Sequence, residues 1–313
     1  MISVAPKVVA LGGGHGLDAT LRALTKLGAS TTAVVTVADD GGSSGRLRKE
    51  FGVLPPGDLR MALAALCADD PSGSKNAEIF QYRFSGDGPL SGHPIGNLVL
   101  TALWDLERGH VAALARAGAL LGAQGVVLPM ANEPLEIIAN VELNDGSLQR
   151  ITGQVNVANA PGRIVDVSLV PPDPGVYAQT LEAITTADWI VLGPGSWFTS
   201  ILPALMIPAL RDAILASKAR KMVVLNLVDQ PGETEGLGPV EHLGVLGQYA
   251  QNLRVDVVVV DTSHEAHSQQ VRQAATDLGA QVVFAEVGAN EGVGVHDPAR
   301  LSRVLNGIFT RVP

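Results

Sequence analysis

The 313 residues are 46% hydrophobic and 17% charged, a balance that excludes a disordered chain and fits an α/β protein able to bury a large core. A formal net charge of −9 with only 4% aromatic residues excludes a general nucleic-acid surface, so any phosphate bound here must be met by a local pocket. The single cysteine, Cys67, excludes an internal disulfide and reads as helix packing, with a reactive thiol as its alternative.

In chain order, Met1 to Lys7 has no basic stretch leading into an apolar one, which makes a cytoplasmic protein the expectation. Lys7 to Leu11 is a short apolar run that enters Gly12-Gly13-Gly14-His15-Gly16, after which Leu17, Leu21 and Leu24 recur at helical spacing. Thr31 to Val37 is continuous and β-branched, like a strand covered on both faces, and a parallel βαβ unit follows. Helical spacing marks Asp58 to Ala68, Lys75 to Phe84 and Pro94 to Leu106. The most apolar stretch, His110 to Met130, is broken by Arg116, Gln124 and several glycines, so a helix and a strand are expected there and no membrane span.

Short alternating runs then predict a β-rich insertion over 126–170, with Asn144-Asp145-Gly146-Ser147 turning between strands Glu136 to Leu143 and Leu148 to Val157. The α/β alternation resumes with helix Ala178 to Thr186, strand Trp189 to Leu192, strands Met222 to Leu227, Val255 to Val260 and Gln281 to Phe284, and a last helix from Pro298 to Phe309. The sum is an α/β chain, read as a single domain over 1–313: a doubly wound parallel sheet carrying a small β-rich insertion.

The candidate chemistry gathers at strand ends, where open α/β sheets bind ligands. Glycines at 12, 13 and 14 let backbone N–H groups approach an anion, and Gly14 to Ala19 fits the GxGxxA form of a dinucleotide loop; a tight turn is the bland alternative. His15 is the histidine most exposed to a functional reading. Asp39 and Asp40 run into Gly41, Gly42, Ser43 and Ser44, so the acids could take sugar hydroxyls or hold magnesium, with Asp40 the metal candidate, while backbone and hydroxyls take phosphate. Against this stands a solvated acidic turn.

Asp58 reads as a helix N-cap and Arg60 as a phosphate clamp. His93 and Asn97 sit at another helix start, where a core-satisfied histidine is an equal alternative. Gly195, Ser196 and Thr199 follow a buried strand and could cap a helix or bind an anion. The GxxxxGK[ST] phosphate loop and the HExxH zinc motif do not occur, and Gly193-Pro194-Gly195-Ser196 is not the GxSxG nucleophile motif.

Together GGGHGL, VADDGGSSGRLRKEFGVLPPGDLR, GHPIGNL, GPGSWFTSILP, NLVDQPGETEG and HDP resemble the YvcK family of gluconeogenesis factors, from about Lys7 to the last helix. That family sits in a superfamily with CofD, the 2-phospho-L-lactate transferase of deazaflavin cofactor synthesis. The resemblance implies a CofD-like, Rossmann-like domain that binds a UDP-sugar, UDP-N-acetylglucosamine in particular. It further implies a role in cell shape and wall synthesis during gluconeogenic growth, exercised through a cell-wall synthesis protein as partner. The nucleotide contacts carried over are Gly12, Gly13, Gly14, Asp39, Asp40, Gly41, Gly42, Ser43, Asp58, Asn97, Gly195 and Ser196.

The chain departs from the family pattern at His15, where Thr is usual, at Met61, where Asn is common, and at Val295-His296-Asp297-Pro298, where many members read Arg-His-Asp-Thr. The resemblance therefore carries no arginine or threonine contact at 295–298. A UDP-sugar-binding regulator without catalysis is the first expectation, with Gly41 to Pro56 ordering over the ligand. A magnesium-dependent transferase of the CofD type is the second, and an NAD-dependent oxidoreductase the third. Homodimerisation through apolar helices is compatible with all three.

Overall fold

The computed structural model describes residues 5–289 and 294–310, so Met1 to Val4, on which the leader expectation draws, lies outside the described residues. Among these residues the apolar β-branched runs form a seven-stranded, wholly parallel sheet. Its strands are β1 Lys7–Gly12, β2 Ser30–Val35, β3 Gly125–Pro129, β7 Trp189–Leu192, β8 Arg220–Val224, β9 Val257–Asp261 and β10 Gln281–Ala285. The spatial order is β10-β9-β8-β7-β1-β2-β3. The central strand β7 reads as an unbroken apolar run because both faces are covered by helices.

A second, three-stranded antiparallel sheet is built from β4 Glu136–Glu142, β5 Leu148–Thr152 and β6 Arg163–Val170, with β4 in the middle. This corrects two expectations. The antiparallel strands begin at Glu136 and not at 126, because Gly125–Pro129 pairs in parallel with β2; an apolar edge strand and the first strand of an insertion look alike when both are short. The strand expected over Leu148 to Val157 ends at Thr152, and Gln154–Ala158 is a short helix.

The helices of the first half are α1 Gly14–Leu27, α2 Gly42–Phe51, α3 Gly57–Ala65, α4 Pro71–Gln81, α5 Ile95–Leu106 and α6 His110–Leu121. In α1 the stripe Leu17, Thr20, Leu21 and Leu24 is buried, and Gly28 in the left-handed region closes the helix. Each fully buried leucine contributes about 1.5–3 kcal/mol relative to exposure. Helix α1 packs on α3 and on the last helix, Pro298–Thr310, so the glycine loop at its start is held between the sheet and two helical neighbours. The Gly- and Ser-rich stretch after Asp40 is therefore no open loop: residues 42–51 are a formed helix that buries Ser43, Ser44 and Leu47. No helix among the described residues is long and apolar enough to cross a membrane.

Candidate functional site

From β1 the chain steps outward to β2 and β3, and after the antiparallel insertion it returns on the other side of β1 with β7, β8, β9 and β10. The loops after β1 and β7 therefore leave adjacent strands in opposite directions, which opens a crevice at the carboxyl ends. The glycine loop and Gly193-Pro194-Gly195 face each other there. Helix α1, capped by Gly13, and helix α2, capped by Gly41, both start without a side-chain cap and without an acid in the first turn. Their first N–H groups and the positive ends of their dipoles suit an anion.

A buried polar network joins three segments, α2, α3 and the start of α5. Arg60 Nε donates to Asn97 Oδ1 at 2.9 Å, Asn97 Nδ2 donates to Ser43 Oγ at 2.9 Å, and Ser43 Oγ lies 2.7 Å from His93 Nδ1. Because arginine can only donate, the first bond fixes the orientation of the Asn97 amide. These four residues and Asp58 are each between 2% and 8% exposed, so the network is rigid, and water competes with it poorly.

Asp58 is a strongly perturbed acid. Burial, and then the neighbouring Asp39 charge, push its carboxyl up to about 7, with the Gly14 amide and Arg60 pulling the other way. Its Oδ2 is buried with no hydrogen-bond partner. A Cβ at Gly13 would stand 2.5 Å from that oxygen and 2.6 Å from Thr36 Cγ2, so the glycine loop closes directly over Asp58. Asp58 is not the expected N-cap: Pro56 takes the cap position, in helical backbone, and Asp58 lies within the first turn of α3. Burial also lowers the Arg60 guanidinium to about 10, with Arg83 adding to the effect and Asp58 and Asp39 opposing it.

The remaining expected residues are placed differently. Asp39 Oδ1 accepts from the Gly41 amide at 2.9 Å and stays half-buried beside the crevice. Asp40 Oδ1 accepts from the Val155 amide at 3.0 Å, so it caps the helix Gln154–Ala158 of the insertion. Replacing Asp40 by alanine should cost about 1 kcal/mol, the usual value of a cap, and hydrogen exchange should place the loss at Val155; an unchanged Val155 amide would contradict the capping role. His15 is exposed and makes no hydrogen bond among the described residues.

Across the crevice Ser196 and Thr199 are engaged by Glu233, which the sequence reading did not single out although it lies within NLVDQPGETEG. Ser196 Oγ donates to Glu233 Oε2, the Phe198 and Thr199 amides donate to Oε1 at 2.8 and 2.9 Å, and Thr199 Oγ1 donates to Ser196 Oγ at 2.7 Å. Asn226, from the same motif, holds the backbone of Gly195 through both its amide atoms. An anion is thus already present at this turn as a buried carboxylate, its pKa raised by burial against those hydrogen bonds.

Magnesium, if taken up here, fits Asp58 and Asp39 better than Asp40. Among the described residues no three His, Cys, Asp or Glu side chains form a cage, but magnesium usually binds through one or two carboxylates and substrate phosphates. The unpartnered Asp58 Oδ2, with Asp39 nearby, offers that donor pair.

The comparisons agree along nearly the whole chain. The family described as 2-phospho-L-lactate transferase CofD matches residues 8–296. A Mycobacterium tuberculosis protein provisionally named a gluconeogenesis factor is 50% identical over 310 residues, covering 97% of this chain and 90% of its own length. The gluconeogenesis factor of Listeria innocua is 42% identical over 258 residues, 82% of this chain and 78% of its own. A crystal structure of a UPF0052 family member from Bacillus halodurans superposes with a TM-score of 0.84 at 34% identity, over 97% of this chain and 99% of that one.

Proposed function

The chain belongs to the CofD family, in its gluconeogenesis-factor branch, and from that premise we propose that it binds a UDP-sugar, UDP-N-acetylglucosamine in the first instance, in the crevice between β1 and β7. The observation that carries this is the pair of helix starts, α1 and α2, whose glycine cap residues supply no side-chain bond, beside a buried Arg60–Asn97–Ser43–His93 network. The helix starts receive the diphosphate, and Asp39 receives the ribose hydroxyls. The protein then acts as a cytoplasmic regulator that reports nucleotide-sugar supply to cell-wall synthesis through a protein partner, without turning the ligand over. Helix α2 is already formed, so ligand acts on the position of a rigid helix and not by ordering a loop.

The expected result is a thermal shift. Ligand bound only to the folded state adds RT ln(1 + [L]/Kd), about 2.7 kcal/mol at a hundredfold excess, so millimolar UDP-N-acetylglucosamine should raise the melting temperature and give calorimetric heat while NAD gives neither. The reverse pattern would reject the proposal.

One observation favours a second reading. The unpartnered Asp58 Oδ2 beside Asp39 suits magnesium, which in a CofD-type transferase would neutralise charge on a transferring phosphoryl group. In that case Arg60 would stabilise the same charge. Product formation from labelled UDP-N-acetylglucosamine and magnesium, followed by mass spectrometry with and without deazaflavin acceptors, separates the two. Multiple turnovers would establish the transferase; intact ligand supports the regulator.

A further inference from the structure

Three guanidinium groups bond to one short segment, Ser91 to Asn97, which runs from a turn into the start of α5. Arg46, from α2, donates through Nη2 to the Ser91 carbonyl at 2.6 Å. Arg83, just past α4, donates through Nη1 to the Gly92 carbonyl at 2.8 Å. Arg60, from α3, donates through Nε to Asn97 Oδ1 at 2.9 Å. The three come from separate segments, so their convergence is a product of the fold.

None of the three has a carboxylate within 4.0 Å among the described residues. The nearby acids, Asp39 and Asp58 toward Arg60 and Glu50 toward His93, act only at longer range. In a chain of net charge −9 carboxylate partners are plentiful, yet these three arginines have none in contact, and Arg83 and Arg60 repel each other. These bonds use only part of each fork, although Arg46 also donates through Nη1 to the Pro89 carbonyl at 3.4 Å, and Arg46 and Arg83 are exposed.

His93, at the centre of the turn, adds a fourth donor. Burial and the Arg46 and Arg83 charges lower its pKa, against Glu50, so the ring is neutral. When Ser43 donates its hydroxyl proton to Nδ1, Nε2 carries the ring proton.

We infer that the Ser91–Asn97 segment with Arg46, Arg60 and Arg83 is a second anion subsite, adjoining the helix starts of the crevice and built for a phosphomonoester group. Three forks and an imidazole N–H exceed what the two oxygens of a carboxylate need and match the three free oxygens of a phosphate. It rests on the nucleotide reading in one respect, that the nucleotide's own phosphates lie at the starts of α1 and α2. The nucleotide then has a small phosphorylated companion, bound at the same time and not in its place.

Inorganic phosphate is the probe, titrated by calorimetry into the full chain with and without saturating UDP. Phosphate should bind in both cases with similar affinity, and Arg46→Gln with Arg83→Gln should weaken it by about tenfold or more, the loss of roughly one charged hydrogen bond. Arg83→Lys, which keeps the charge, should lose less, and Arg211→Gln, which breaks a surface pair with Asp212, should lose nothing. Melting temperatures of the variants should stay within a few degrees of the parent, since arginines that merely braced the turn would show in stability and not in phosphate affinity. Competition between phosphate and UDP would overturn the inference and leave the nucleotide reading standing. Phosphate binding without UDP binding would leave the subsite standing and reject the nucleotide reading. No phosphate binding under either condition would overturn the subsite.

Discussion

Replacing Asp58 by asparagine is expected to stabilise the metal-free, ligand-free chain strongly at about pH 8, with the gain falling to about a third near pH 5. The folded-state pKa of about 7 lies far above the ordinary value of about 3.9 for an unfolded aspartate. Below about pH 4 both states hold the proton, and the group costs nothing electrostatically. Between about 4 and 7 the unfolded chain releases the proton while the folded chain keeps it, so stability falls as pH rises. Above 7 the full penalty applies, on the order of 4 kcal/mol.

The neutral amide escapes that penalty, so the variant and the parent should diverge as pH rises. Thermal unfolding in EDTA across this range is the measurement. A variant that tracked the parent at every pH would mean that Asp58 is solvated. So costly a carboxylate, buried under the glycine loop, marks Asp58 as a functional-site candidate, which ties this stability effect to the site.

The sheet was legible in the sequence because its signals are local. Trp189–Leu192 is apolar at every position and forms β7 over those residues, and the glycine loop and Asp39 mark the ends of β1 and β2 without reference to anything distant. The edge strand Gly125–Pro129 was not separable from the insertion, since only pairing with β2 distinguishes them. The site was legible as a set of residues and not as a set of contacts. Ser43, His93, Asn97 and Arg60 were all singled out, yet their bonds span 37 to 54 residues of sequence, and nothing local states that Ser43 meets His93.

Asp40 shows how little adjacency in sequence says about contacts. Adjacent acids look equivalent in sequence, but their side chains leave the backbone in different directions, and Asp40 is spent on Val155, 115 residues away. Glu233 escaped because a buried acid that caps a helix looks, in sequence, like any loop glutamate. The resemblance to NLVDQPGETEG was the one signal that could have found it.

Two glycines inside helices separate packing at the crevice from simple helix propensity. Gly16 lies in the first turns of α1, and a Cβ there would stand 2.2 Å from the Pro194 carbonyl oxygen, 2.5 Å from its carbon and 2.6 Å from Gly195 Cα. Gly244 lies within the helix Pro239–Tyr249, exposed, with nothing within 4 Å of the same built atom. Alanine is the better helix former at both places by about 0.5–1 kcal/mol, so Gly244→Ala should be mildly stabilising. Gly16→Ala should instead cost about 3 kcal/mol or more, because the atoms it strikes are backbone and cannot rotate away. Relief requires the loop after β7 to move off the glycine loop, which widens the crevice in which the two loops face each other.

The same substitution should therefore weaken UDP-sugar binding by about tenfold or more, since a displacement of about 1 Å in such a site is enough for losses of that order. Urea unfolding of both variants, read as midpoints at constant m, gives the stability terms, and calorimetry on the folded Gly16→Ala chain gives the affinity. If Gly16→Ala were as stable as Gly244→Ala, the two loops would not be in contact. If it were unstable yet bound ligand as the parent does, the ligand would not lie between them.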